Sequence, residues 1–415
     1  MKIRIIAFLL SFLTCGVSFS QDQKEPYVIL ISLDGFRYDY VTRFQPENLS
    51  RFIAGGTAAT SLIPSFPTKT FPNHYTIATG LKPEHHGIVD NSFYNPKRDT
   101  EYKINKREVI TDGTWYGGTP LWVLAEQNGM KAASFFYVGS EADVQGVRPS
   151  YYFDYDERIK NLTRVSQVFD WLQLPEEERP HMITMYFSDM DDIGHRFGPN
   201  QDEELSKRLK QLDRELGALF EGVKSLDLDV NIIVVSDHGM ATVGIEKYIP
   251  LDLITEGVSG RIVNTGALGH IYLDNPKDKM KAIAQMKGKA VGYKVIDPLE
   301  GEYYQDVSLY GERIGDIIIL ADLDYYLIDK EADRKVIARR MRIDNSTVRG
   351  THGYSQEYAE MHGIFYANGP QIRSGLKIDS FENIHIYPLI CKILGLPAPE
   401  FLDGKLEVLE PILNQ

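Results

Sequence analysis

The stretch NIIVVSDHGM, residues 231 to 240, runs four apolar residues, Ile232 to Val235, straight into Asp237 and His238. Similar groups recur: Asp34 closes the apolar run YVILISLD, Asp191 and His195 stand four apart in DDIGHRFGP, and His352 lies between glycines in GTHGY. Three carboxylates and three imidazoles make a mixed oxygen and nitrogen donor set, which suits Zn²⁺ with three or four protein ligands per ion. Six ligands are too many for one catalytic zinc and fit two. Two ions about 4 Å apart would clamp the attacking and leaving oxygens of an in-line displacement at phosphorus. Each piece alone is weak, because an Asp at a strand end is more often a cap or a turn former. The expectation rests on their joint occurrence behind three apolar runs.

A nucleophile for such a centre would be a hydroxyl. SFPTKTFPNHYTIATG, residues 65 to 80, is polar and proline-punctuated before it becomes helix-like, and Thr70 stands near the start of the helical part. A hydroxyl there sees oriented backbone N–H groups and the positive end of the helix dipole. A neighbouring zinc would lower its pKa and make an alkoxide available near neutral pH. Thr68 and Thr76 compete for the role, and Thr68 or Thr70 would serve equally as an N-cap. The residue types alone do not choose among them.

Strand-like runs at 27 to 34, 131 to 139, 181 to 189, 231 to 237 and 363 to 370 alternate with helix-like segments such as TPLWVLAEQNG and EELSKRLKQLDRELGALFEGVKSL. The second helix carries many opposite charges four residues apart. This alternation predicts an α/β fold, a mostly parallel sheet with helices on both faces. Ligands of such sheets bind outside the carboxyl ends of the strands. Asp34, Asp191 with His195, and Asp237 with His238 all fall there. Residues 259 to 345 have shorter alternating runs and predict a small α+β insertion within a catalytic domain spanning 21 to 415.

The 415 residues are 43% hydrophobic and 25% charged, enough for a large core. The formal net charge of -13 argues against binding nucleic-acid polymers or anionic membranes. It leaves room for a small phosphorylated ligand at a local metal site. Residues 1 to 20 read as a secretory signal: a basic MKIR, an apolar core too short to span a bilayer, and SFS as a cleavage site. Beyond Cys15 only Cys391 remains, so an exported chain would fold without an internal disulfide, which favours a bacterial periplasm. The sequons at Asn48, Asn161 and Asn345 matter only in a eukaryotic host. No later segment has the length and apolarity of a membrane span. Oligomeric state is not legible.

SLDGF at Asp34, PTKTFPNHYTIATGLKPEHHGIVDN from Pro67 to Asn91, D-x-x-G-H at Asp191, SDHGM at Asp237 and THGY at His352 occur in order over nearly the whole mature chain. Together they resemble the nucleotide pyrophosphatase/phosphodiesterase family of the alkaline phosphatase superfamily. The resemblance implies an alkaline-phosphatase-like fold and a two-zinc phosphodiesterase with Thr70 as nucleophile. One zinc would be held by Asp191, His195 and His352, the other by Asp34, Thr70, Asp237 and His238. Asn91 matches an asparagine that donates to a nonbridging phosphoryl oxygen, a role that adds no charge. Asp189-Met190 stand where relatives often have Glu-Pro, so the neighbouring loop is expected to differ.

Phe71 matches one aromatic wall of a nucleobase slot. The second wall is expected from GVRPSYYFDYD, with Tyr152 first and Tyr151 its competitor; each stacking contact is worth roughly 1–3 kcal/mol with little base selectivity. Lys69 is a candidate phosphate contact, with snorkelling to solvent as the plainer role. YVGSEADVQG lacks the basic pair of related phosphomonoesterases, which favours diester substrates, and TKTFP is not the C/S-x-P-x-R setting of sulfatases. The implied activity is release of nucleoside 5′-monophosphates from nucleotide phosphodiester or pyrophosphate bonds through a threonyl ester. Three alternatives stand beside it: a lysophospholipid or choline-phosphodiester phosphodiesterase, an alkaline phosphomonoesterase, and a zinc-stabilised binding protein without turnover. His74 is a candidate support behind the ligands. His85, His86, His270, His362 and His385 are expected to be packing or surface residues, and Asp189 and Asp192 to surround the metal ligands or face solvent.

Overall fold

β1 (Tyr27–Leu33) is buried at all seven positions. Its side chains alternate between two cores, Val28 and Leu30 on one side and Ile29, Ile31 and Leu33 on the other. A strand buried at every position needs cover on both faces, which βα crossovers supply. The computed structural model describes residues 25 to 414 except 336, 338 and 340 to 347. The expected signal stretch, Cys15 and the Asn345 sequon lie outside the described residues.

After β1, the strands of the two largest sheets are, in chain order, β2 (Thr57–Ala59), β3 (Ala132–Phe135), β4 (Tyr151–Phe153), β5 (Met182–Phe187) and β6 (Val230–Val235), then β7 (Gly260–Asn264), β8 (Leu268–Leu273), β9 (Tyr293–Ile296) and β10 (Ile317–Ala321), and finally β11 (Phe365–Asn368) and β12 (Leu376–Ile378). The large sheet has eight strands in the order β12-β2-β11-β6-β1-β5-β3-β4. Only β11 runs against its neighbours β2 and β6; the other pairings are parallel. β7 to β10 form a separate four-stranded sheet in the order β7-β8-β10-β9.

Helices covering the large sheet include α1 (Thr70–Thr79), α2 (Leu121–Gln127), α3 (Asn161–Leu172), α4 (Asp189–Phe197), α5 (Asp202–Lys224) and α6 (Ile386–Leu394). Side chains of α1, α2 and α6 share the core of Val28 and Leu30, and those of α3, α4 and α5 share the core of Ile29 and Ile31. The fold is therefore a mostly parallel sheet between two helical layers. α5 opens on Asp202, Glu203 and Glu204 and closes on Lys224, the charge order its dipole favours. Cys391 is buried in α6 and free. Among the described residues no helix is long and apolar enough to cross a membrane.

Two strand expectations change in detail. The run 131 to 139 is strand only over β3, because Phe136 turns to φ 68° and the chain leaves the sheet. The run 363 to 370 forms β11 but antiparallel, since an apolar run carries no information about direction.

Candidate active site

Register brings three strand ends to one level. Ser32 on β1 lies opposite Tyr186 on β5 and Val235 on β6. The residues just beyond leave the core together: Asp34 after β1, α4 after β5, and Asp237 with His238 after β6. Asp191 and His195 are four apart on α4, which places them on one face of the helix. His352 follows the strand Val348–Thr351, which pairs antiparallel with Ala241–Gly244 just after His238. Gly35, at φ 64°, lets β1 approach α4; a Cβ there would stand 2.8 Å from Asp191 Cα.

The donor atoms converge. His238 Nε2 is 3.4 Å from Asp34 Oδ1, 3.0 Å from Asp237 Oδ2 and 3.3 Å from Thr70 Oγ1. Asp191 Oδ1 is 3.4 Å from His195 Nε2 and 3.9 Å from His352 Nε2. The rings of His238 and His352 stack with centroids 3.6 Å apart. Donor atoms of Asp191, His238 and His352 lie within 4.8 Å of one another, and those of Asp34, His74 and Asp237 do likewise.

In each of the three expected imidazole ligands Nδ1 donates to a backbone carbonyl: His195 to Gly350, His238 to Gly239 and His352 to Thr68, at 2.8–2.9 Å. That fixes the tautomer and leaves each Nε2 lone pair facing the centre. Asp34 Oδ1, Asp191 Oδ1 and Asp237 Oδ2 are buried without a hydrogen-bond partner. Orphaned anionic oxygens facing basic nitrogens are costly unless a cation lies among them, so the residues present fit divalent metal.

The protonation balance points the same way. Burial raises the Asp34 carboxyl well above its ordinary range, and the charges of Asp237 and Asp191 add to the rise. Burial also raises Asp191, against the pull of His195 and His238. Asp237 goes the other way: burial pushes it up, but His238 and His74 hold it at about 2. Burial lowers His238 and takes His352 well below the imidazole range, a shift that favours the neutral rings metal ligands must present.

His74 is a support. Its Nδ1 donates to the Thr70 carbonyl at 2.8 Å, and its Nε2 meets the Ser32 hydroxyl at 2.8 Å, while Nδ1 lies 3.3 Å from Asp237 Oδ2. With both nitrogens engaged, it braces Asp237 and the first turn of α1. Tyr186 is a partner that the sequence does not flag: its hydroxyl donates to Asp34 Oδ2 at 2.6 Å. The apolar company of Tyr186 in its strand gives no sign of that role. Asp189 is buried on Asn161 and Arg208, and Asp192 accepts from Ser188.

Thr70 is the first residue of α1, as its position suggested, while Thr68 donates to the Tyr354 carbonyl and Thr76 pairs with His86. Asn91 Oδ1 accepts the Phe71 N–H at 2.9 Å, capping the open end of α1. This leaves the Asn91 NH₂ without a protein acceptor among the described residues.

A cavity of about 260 Å³ opens beside Thr70, and its lining includes Phe71, Phe136, Tyr155, Tyr186 and Glu141. Three of the expected substrate contacts lie away from this lining. Tyr151 and Tyr152 lie on the edge strand β4, outside the cavity; the Tyr151 hydroxyl donates to the Glu178 carbonyl, and Tyr152 is 39% exposed. Tyr155, beyond the carboxyl end of that strand, lines the cavity instead. Lys69 neither reaches the cavity nor snorkels: it is buried, and Nζ donates to the Thr265 carbonyl at 2.6 Å. The other histidines are held inside the protein, with His85 on Asp403, His270 on Asp90, His362 on Ser61 and His385 on the Lys405 amide.

Comparison with known proteins adds an independent line. The model of the family described as type I phosphodiesterase / nucleotide pyrophosphatase matches residues 28–355. Ectonucleotide pyrophosphatase/phosphodiesterase family member 1 of Homo sapiens is 33% identical over 389 residues, covering 91% of this chain and 41% of that protein. Venom phosphodiesterase CdcPDE of Crotalus durissus collilineatus is 34% identical over 407 residues, covering 94% of this chain and 46% of that protein. The chain thus spans less than half the length of these curated relatives. Murine ectonucleotide pyrophosphatase/phosphodiesterase 5 superposes with a TM-score of 0.83 at 26% identity, over 94% of this chain and 100% of that one. An inactive threonine-to-alanine variant of the murine protein, solved in complex with AMP, superposes equally well.

Proposed function

This chain belongs to the type I phosphodiesterase / nucleotide pyrophosphatase family, and from that premise we propose that it hydrolyses nucleotide phosphodiester or pyrophosphate bonds and releases nucleoside 5′-monophosphates. The reading assigns one zinc ion to Asp191, His195 and His352 and a second to Asp34, Thr70, Asp237 and His238. Bound there, zinc would supply Lewis-acid chemistry, lowering the pKa of the Thr70 hydroxyl and offsetting charge on the phosphoryl group. Thr70 Oγ1 loses its proton and forms a bond to phosphorus as the bond to the leaving oxygen breaks. Water then attacks the threonyl ester from the opposite side, gives up a proton and returns the threonine hydroxyl. Two in-line displacements retain configuration at phosphorus.

The remaining roles are of this chain's own making. Asn91, its carbonyl turned to Phe71, offers its NH₂ to a nonbridging oxygen, where charge builds in the transition state. Phe71 and Tyr155 flank a base. The cavity lining contains Asp34, Glu141 and Asp191 and neither Lys nor Arg, which favours a singly charged diester over a doubly charged monoester. We propose further that the chain is exported by its first twenty residues. The names of relatives as ectoenzymes and venom proteins support that, and so does the apolar run behind MKIR.

The observation that carries the proposal is the joint fixing of three Nε2 lone pairs and three orphaned carboxylate oxygens around Thr70. The test is Thr70→Ala assayed on the p-nitrophenyl ester of thymidine 5′-monophosphate. Turnover should vanish while bound zinc is largely kept. Activity surviving in that variant would remove Thr70 as nucleophile.

A further inference from the structure

Asp90 and His270 are fully buried, 180 residues apart in sequence, and take no part in the donor set. Asp90 Oδ1 accepts the Asn91 N–H at 2.5 Å. Its Oδ2 accepts from Thr265 Oγ1 and meets His270 Nε2, both at 2.9 Å. His270 Nδ1 must donate to the Ile314 carbonyl at 2.9 Å, because a carbonyl only accepts; a proton therefore lies between Nε2 and the Asp90 carboxyl. Thr265, in the turn between β7 and β8, also accepts Lys69 Nζ on its carbonyl at 2.6 Å. The residue before Thr70 and the residue before Asn91 are thus tied to the same residue of the separate sheet. The Asn91 to Phe71 bond closes the circuit.

We propose that this sheet positions the reacting groups, with Asp90, His270 and Thr265 acting as positioning residues that hold Asn91 against the first turn of α1. The inference rests on the reading of Asn91 as the donor to a phosphoryl oxygen. The physical reason is geometric. Asn91 sits in a loop, and a donor that strengthens only in the transition state must be held to within a fraction of an ångström. Three hydrogen bonds to one buried carboxyl supply that restraint, and they reach from β8 and its preceding turn to the loop. A purely structural buried network would stabilise the fold without being coupled to Asn91, and that difference is measurable.

The experiment compares Asp90→Asn, His270→Gln and Thr265→Val, each alone and combined with Asn91→Ala, in the full chain. The readouts are kcat and KM on the p-nitrophenyl ester of thymidine 5′-monophosphate, with thermal melting alongside. Asp90→Asn should lower kcat about tenfold or more with KM changed less than about twofold, and in the Asn91→Ala background the same change should cost less than about twofold. Thr265→Val removes one hydroxyl and keeps the backbone contact to Lys69, so it carries the test if Asp90→Asn does not fold; its loss of kcat should likewise collapse in the Asn91→Ala background. Equal losses in both backgrounds, or a lowered melting temperature with kcat unchanged, would overturn the inference. Failure of the parent reading is seen separately: Asn91→Ala alone would then leave kcat intact.

Discussion

Truncating Tyr155 to Ala should weaken nucleotide recognition without touching phosphoryl transfer. The ring of Tyr155 lies with its centroid 5.2 Å from that of Phe136 and 6.2 Å from that of Tyr186, and the residue is 44% exposed. Its backbone N–H is bonded to Glu141, so the anchor of the loop survives loss of the side chain. What is lost is one stacking face. At about 1–3 kcal/mol for a base on an aromatic ring, kcat/KM for a nucleotide ester should fall about 5- to 150-fold. The assay pairs the p-nitrophenyl ester of thymidine 5′-monophosphate with methyl p-nitrophenyl phosphate, a diester without a base. The second substrate should lose less than about twofold, because its transition state never used the ring. Tyr152→Ala is the control and should leave both substrates within about twofold, since that side chain lies outside the cavity. A larger loss with Tyr152→Ala, or equal losses of both substrates with Tyr155→Ala, would refute the placement of the base.

Gly35→Ala should lower both stability and zinc retention: the φ of 64° alone costs on the order of 1–2 kcal/mol, and the new Cβ would press on Asp191, which thermal melting and zinc titration would register. Tyr186→Phe removes the hydroxyl on Asp34 Oδ2 and should weaken zinc binding about 10- to 100-fold while far-UV circular dichroism stays unchanged. The His85 and Asp403 pair sets a pH dependence of stability. The hydrogen bond to Asp403 raises the His85 imidazole above its ordinary 6.5. Its contribution is therefore fully present below that value and fades as pH rises through the raised one. Asp403→Asn should flatten the fall in melting temperature above pH 6.5, and an unchanged profile would count against the pair.

Much of the site was legible because its residues sit where strands end. Asp34, Asp191, His195, Asp237 and His238 follow apolar runs, and a parallel sheet sends all such ends to one edge, so spacing along the chain became proximity in space. What stayed hidden depended on contacts between distant segments. The Asp90 to His270 contact joins a loop to a strand of another sheet, and neither local sequence carries a signal of it. Tyr151 and Tyr152 drew attention as an aromatic pair, but they are spent on an edge strand, with Tyr151 packed near Trp171. The same rule that found the acids favours Tyr155, because it lies past the strand end. Lys69 depends on a distant segment in the same way: a lysine beside a hydroxyl suggests a phosphate contact, while its Nζ donates to the Thr265 carbonyl in the turn before β8. Strand direction at β11 was equally invisible, since hydrophobicity reports burial and not polarity of the chain.

The proposed turnover by Thr70 rests on two metal ions held by the converging side chains, and metal content is the most direct test of that proposal. Purified active protein, analysed by inductively coupled plasma mass spectrometry after exhaustive dialysis against metal-free buffer, should carry two zinc ions per chain. Chelation should abolish turnover, and zinc should restore it. Fully active protein containing no transition metal would contradict the assignment of Asp34, Asp191, His195, Asp237, His238 and His352 as ligands.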